Sequence, residues 1–111
     1  MNTVILTGNL CKDNELRFTK TGTAILENTI GVRREMKNQD WEYESDFVNL
    51  TMFGTTAEFI QKYSKKGDKI SVTGKLRVDS YKDNDGNTKY RNYVRVNSVE
   101  LLTPRKERND N

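Results

Sequence analysis

The residues best placed to do chemistry in this chain are aromatic rings and cations that recur side by side. Trp41 and Tyr43 stand near Lys37 and Asp40, and Phe47 and Phe53 share one side of the stretch "DFVNLTMFG" (46–54) with Asn49 and Thr51. Tyr81 and Tyr90 bracket "YKDNDGNTKY", and "DKISVTGKLRV" before it carries Lys69, Lys75 and Arg77 in alternation with apolar residues. Rings stack on the faces of unpaired bases while cations meet phosphates, so the interleaving suits a single strand of nucleic acid. A duplex hides those base faces. Taken singly, each ring has a plainer use: Phe47 or Phe53 could cover a helix or a partner, and Tyr81 or Tyr90 could cap a hairpin.

Catalysis finds less support. The chain has no histidine, which removes the commonest general base and the commonest metal ligand together. Cys11 is the only cysteine, and the glycines are spread singly without phosphate-loop spacing. Aligning Asp83, Asp85 and Gly86 to a calcium loop puts Tyr81 at the first ligand position and Asn92 where a bidentate glutamate belongs, so a tight hairpin turn is the better reading. No catalytic residue, metal site or cofactor is therefore expected. A metal-dependent nuclease would need clustered carboxylates, which the sequence does not group.

The 111 residues suffice for one core, and 33% hydrophobic against 32% charged residues calls for elements with one buried face each. A lone cysteine, the absence of a leader-like start and the lack of any run near the ~20 apolar residues of a membrane span lead to the expectation of a cytoplasmic protein without a membrane role. The net charge of +3 is uneven: residues 1–55 hold six Lys/Arg against eight Asp/Glu, residues 56–111 thirteen against eight. The basic half fits a polyanionic partner.

The positioning elements follow from periodicity. "NTVILTGNL" (2–10) alternates as a first strand, bent at Gly8, with "ELRFTK" as its short continuation. "AILENTIGVRRE" (24–35) turns Ala24, Leu26, Ile30 and Val32 inward, with Gly31 available for a bend, and "MKNQDWEY" (36–43) forms a hairpin tip. The returning third strand puts Val48, Leu50 and Met52 inward and Phe47 and Phe53 outward, separated by a wettable strip of Asn49 and Thr51. "TTAEFIQKYSKKG" (55–67) changes to helical period: Thr55 and Glu58 form a capping box, Phe59, Ile60 and Tyr63 share a face, and Lys65, Lys66 and Gly67 close the last turn. Ile70, Val72, Leu76 and Val78 point inward from the fourth strand, and "RNYVRVNSVELL" (91–102) is the fifth. The expected fold is all-β with one small helix: a five-stranded Greek-key barrel of the oligonucleotide/oligosaccharide-binding type, the helix lying between strands three and four. A small antiparallel α+β sandwich is the alternative. The domain spans 1–103, and 104–111 form a short flexible tail after Pro104.

The blocks "VILTGNL", "FVNLTMFG", "AEFIQKYSKKGDKISVTGKLR" and "YVRVNSVELL", in this order across residues 1–102, closely resemble the bacterial and phage single-stranded-DNA-binding proteins. The resemblance implies a barrel without enzymatic activity that coats exposed single strands in replication, recombination and repair, commonly as a homotetramer, with a dimer as the lesser possibility. It implies base stacking at Phe47, Phe53 and Tyr81, although typical members carry Trp where Phe47 and Tyr81 stand. Met36 falls near another position that is often Trp, a role that Trp41 or Tyr43 could take over; Tyr90 completes the stacking set. Lys12, Arg33, Lys69, Lys75, Arg77 and Lys82 are the residues expected to track phosphates. The usual acidic tip that recruits replication proteins is absent from "PRKERNDN". An accessory or protein-interaction barrel, or one directed to RNA, is the rival reading.

Overall fold

A computed structural model describes residues 1–103; the expected tail, 104–111, lies outside the described residues. The elements are β1 (Val4–Leu10), β2 (Leu16–Phe18), β3 (Ala24–Lys37), β4 (Tyr43–Phe53), α1 (Gly54–Tyr63), β5 (Lys69–Lys82) and β6 (Thr88–Leu101). Five strands close on themselves in the order β1-β5-β6-β4-β3, with β1 returning to pair with β3. This is the expected barrel. "ELRFTK" does not continue β1, however; its Leu16–Phe18 form a separate strand on the outer edge of β3, with Leu16 opposite Leu26. The helix therefore follows the fourth strand in the chain but the third strand of the barrel.

Closure depends on a close approach at Gly8. β1 pairs with β5 from Val4↔Gly74 to Asn9↔Lys69, then with β3 at Asn9↔Gly31 and Leu10↔Ile30. A Cβ on Gly8 would lie 2.2 Å from the Gly31 carbonyl oxygen, so only glycine allows β1 to pass this close to β3. Inside the ring, Leu10, Leu26, Ile30, Leu50, Met52, Ile70, Val72 and Val94 are fully buried, and alternation along each strand puts them there.

Leu76 and Val78 break that expectation. They are 47% and 57% exposed because β5 and β6 run on as a paired hairpin beyond Gly74, where the β1 ladder stops, leaving no facing wall to cover them. The Asn2 side-chain amide marks the exit: its Nδ2 donates to the Leu76 carbonyl at 2.8 Å and its Oδ1 accepts from the Leu76 N–H at 2.9 Å.

The helix also differs in detail. Gly54, at φ +60°, turns the chain straight from β4 into α1, so Phe53 is the N-cap residue, no side chain caps, and Thr55 already lies inside the helix. The buried face consists of Ala57 and Ile60. Phe59 and Tyr63 are exposed instead and pack on each other with ring centroids 5.1 Å apart. The helix ends at Tyr63, before Lys65 and Lys66; Asn14 caps it by donating to the carbonyls of Ile60 and Ser64 at 3.2 and 3.1 Å.

Candidate nucleic-acid interface

Residues directly opposite in a ladder share a face. β3 and β4 pair Glu27↔Thr51, Thr29↔Asn49 and Gly31↔Phe47, and β4 meets β6 in parallel at Leu50↔Val94 and Thr51↔Arg95. Phe47, Asn49, Thr51 and Phe53 thus face outward with Glu27, Gly31 and Arg95. Phe47 is 70% exposed and rests on Gly31, where a Cβ would stand 3.3 Å from its ring. Gly31 is thus a seat for the ring as well as a close-approach point.

The β4 and β6 backbones pair only at the seam around Leu50 and Thr51, and toward Phe47 they leave a groove of about 590 Å³. Its lining brings Phe47 and Asn49 together with Leu76, Tyr81, Tyr90, Arg91, Asn92 and Tyr93. Three rings expected from sequence to stack, one from β4 and two from the β5–β6 hairpin, therefore meet in one place. Tyr81 is opposite Lys89 and Tyr90 opposite Ser80, so the two tyrosines lie on opposite pleat faces of the hairpin while both reach the groove. Tyr93 donates its O–H to Asp79 Oδ2 at 3.0 Å, and that hydrogen bond pushes the phenol pKa up.

Phe53 stands apart. It is half-buried, and the Arg95 guanidinium lies 4.6 Å from its ring centre, so a cation already covers one of its faces. Thr51 beside it is buried, and its hydroxyl has no partner among the described residues; of the expected wettable strip only Asn49 is exposed.

The β3–β4 hairpin displays the remaining rings. Trp41 is 79% exposed and held at φ +63°, a left-handed conformation that a bulky residue adopts at a cost of about 1–2 kcal/mol. Asn38 enforces the turn: its Oδ1 accepts the N–H groups of Asp40 and Glu42, and its carbonyl accepts that of Trp41 at 3.0 Å. Arg33 lies 4.5 Å from the Tyr43 ring centre, and Lys37 lies 5.5 Å from Tyr43 and 5.8 Å from Trp41. Met36 is exposed and lines a second groove of about 620 Å³ with Lys37 and Asn38. At the base of the hairpin Arg34 binds Glu44 and Asp46, at 3.2 and 2.9 Å; its hydrogen bond holds the Asp46 carboxyl below the usual range.

The expected cations divide. Lys75 and Arg77 pair with Arg95 and Tyr93 and share the outer face. Arg33 and Lys69 line a separate groove of about 390 Å³ that also contains Gly31, and so adjoins the seat of Phe47. Lys82 lies opposite Thr88, on the Tyr90 side of the hairpin. Lys12 is exposed in the loop after β1, where its backbone N–H donates to Asn28 Oδ1, and it lines none of these grooves. Sequence reasoning missed Arg17, Arg91 and Arg95, although the alternation of Arg91, Tyr93 and Arg95 in "RNYVRVN" was a legible outward row.

The hairpin "KDNDGN" is a turn built by Asp83, whose Oδ1 accepts the N–H groups of Asp85 and Asn87 at 2.9 Å each, with Gly86 at φ +82°. Among the described residues no group of three His, Cys, Asp or Glu side chains is placed to hold a metal ion, and no helix is long and apolar enough to cross a membrane.

A closed five-stranded barrel with a ring-lined groove between two extended hairpins is matched by what the chain is similar to. It is 41% identical over 105 residues to the single-stranded DNA-binding protein of Bacillus cereus, a match covering 95% of this chain and 62% of that protein. It is 36% identical over 104 residues to single-stranded DNA-binding protein B of Bacillus subtilis, covering 94% and 92%. With single-stranded DNA-binding protein 1 of Clostridium acetobutylicum it shares 38% over 108 residues, 96% and 98% of the two chains. The chain spans only about three fifths of the length of the Bacillus cereus protein and of several other relatives that it matches. Residues 1–102, which include every strand and the helix among the described residues and all the rings of the groove, match the sequence profile of the single-strand binding protein family, and the chain belongs to that family.

Proposed function

We propose that this chain binds single-stranded DNA with little sequence preference, threading it through the groove between β4 and the β5–β6 hairpin. The observation that carries this reading is the convergence of Phe47, Tyr81 and Tyr90 on one open groove, with Lys75, Arg77 and Arg95 on the adjoining face. Bases stack on the rings and phosphates meet the cations; neither contact reads sequence. Trp41 and Tyr43 extend the path along the β3–β4 hairpin, and the strained display of Trp41 supports that role.

The cellular role that fits is coating and protecting exposed strands in replication, recombination and repair, in the bacterial cytoplasm. The protein acts by binding and not by catalysis, in keeping with relatives named for DNA binding. It works as a homo-oligomer, a homotetramer, with a dimer as the alternative. Ile5 supports this: it is 68% exposed on the outer side of β1, opposite Thr73, and does not complete its own barrel.

Titration of Trp41 fluorescence with oligo-dT and with duplex DNA at several salt concentrations tests the reading. Tight, salt-dependent binding of the single strand with quenching is expected. A preference for duplex, or cleavage of labelled strands in magnesium that tracks the protein, overturns it. An oligo-U titration alongside separates DNA from RNA preference.

A further inference from the structure

The outer face carries a carboxylate where a phosphate-binding path should carry none. Glu27 of β3 accepts from arginines on two other strands: Oε1 from Arg17 of β2 at 2.6 Å, and Oε2 from Arg91 of β6. Because β4 lies between β3 and β6, the Glu27–Arg91 pair crosses over β4, in the strip between Phe47 and Phe53. Thr51, opposite Glu27, has its hydroxyl buried and without a partner among the described residues. A strand stacked on Phe47 and continuing toward Phe53 has to cross this bridge.

The bridge is poorly suited to holding the fold together. The Glu27 side chain retains 37% of its exposure, Arg17 65% and Arg91 43%, and ion pairs this exposed add little to stability. The barrel is already laced by its ladders at each of these strands. Its electrostatic effect on a polyanion is larger. A carboxylate there repels the phosphates, and it engages two guanidinium groups whose forked donors match phosphate oxygens.

We propose that Glu27 is a built-in competitor for the DNA backbone, occupying Arg17 and Arg91 until a strand displaces it and so holding affinity below what the face could reach. The inference rests on the single-strand reading above and names how that same site is tuned. When a phosphate arrives, Arg91, which also lines the groove beside Phe47 and Tyr90, exchanges the carboxylate for it. Fewer counterions are released than the arginines on this face would suggest, because one phosphate's worth of charge is already neutralised by the protein.

The test is oligo-dT binding by the parent chain and by Glu27→Gln across a range of salt, with Glu58→Gln on α1 as a control of equal charge change. Glu27→Gln is expected to tighten low-salt binding by about tenfold and to steepen the log–log salt slope by about 0.7, one additional phosphate on a single strand. Glu27→Asp keeps the charge but shortens the reach to both arginines, and is expected to give a smaller gain. In an Arg17→Gln/Arg91→Gln background the Glu27→Gln gain is expected to shrink. Parent binding with unchanged affinity and slope in Glu27→Gln, or an equal gain in Glu58→Gln, overturns the competitor while leaving the functional reading intact. Absence of parent binding overturns the functional reading, and the competitor falls with it. Thermal melts of each variant confirm that folded proteins are compared.

Discussion

The Phe47 ring lies on the backbone of Gly31, its cross-strand partner, and along the other edge of β3 the Gly31 carbonyl oxygen stands 2.2 Å from where a Cβ on Gly8 would lie. Two glycines and a phenylalanine form a row across three neighbouring strands: β1 closes the barrel at one end of it, and an exposed ring stands at the other.

The two glycines should therefore fail differently. Gly8→Ala pushes a methyl group onto a backbone oxygen that has no room to move, and is expected to destabilise the fold by about 2–4 kcal/mol. Gly31→Ala meets the exposed Phe47 ring and the Cys11 sulfur, both at 3.3 Å, and these can yield. Its stability is expected to stay within about 1 kcal/mol of the parent, while the displaced ring weakens oligo-dT binding. Urea melts and DNA titrations on the same preparations distinguish the two.

Rings and cations should separate in salt. Phe47→Ala is expected to weaken oligo-dT binding by ~1–3 kcal/mol with the salt slope kept. Arg77→Ala is expected to flatten the slope by about 0.7 with the salt-independent part largely retained. Parent-like behaviour in both variants would move the interface off this face.

Acid should weaken the Glu27 bridge. Burial alone would raise the Glu27 carboxyl, but the hydrogen bond and charge of Arg91, then those of Arg17, outweigh it and leave the pKa below its ordinary 4.5. The folded state thus holds this proton less tightly than the unfolded state. The resulting stability is fully present above about pH 4.5 and is lost as pH falls through the lowered folded value. Melting temperatures of the parent should exceed those of Glu27→Gln by a few degrees at most at neutral pH, and the gap should close on acidification. Asp46, lowered by Arg34, titrates in the same direction in both proteins and cancels in the difference.

Ile5→Asp should lower the oligomeric state. Its side chain is exposed and outside the core, so the monomer fold is expected to persist while native mass measurement shows smaller species. An unchanged mass would place the subunit contact elsewhere.

Alternation made the barrel readable, because Leu26, Ile30, Leu50, Met52, Ile70 and Val72 recur at the period that one buried face demands. It misled at Leu76 and Val78, since periodicity reports which way a side chain points and not whether a wall stands opposite. The helix face was read correctly at Ile60 and misread at Phe59 and Tyr63 for a related reason: these are the larger apolar residues, yet Ala57 is the one turned with Ile60 toward the strands. At the site, Phe47, Tyr81 and Tyr90 were legible as rings among polar neighbours. That they share one groove was not, because it depends on the parallel meeting of β4 with β6, a contact between distant segments. Glu27 was invisible as a site residue for the same reason, its partners lying ten and sixty-four positions away.

That parallel meeting has a mechanical consequence. The ring of strands is laced along long antiparallel ladders at β1–β5, β5–β6 and β3–β4, but β4 and β6 are held by Leu50↔Val94 and Thr51↔Arg95 alone, and β1 and β3 by Asn9↔Gly31 and Leu10↔Ile30. The barrel is a band with two short clasps, and one of them sits at the mouth of the groove. On the proposed reading, a DNA strand lying across Phe47 and Tyr90 would grip both sides of that clasp at once, so a ligand that reads no sequence would still fasten the fold it binds.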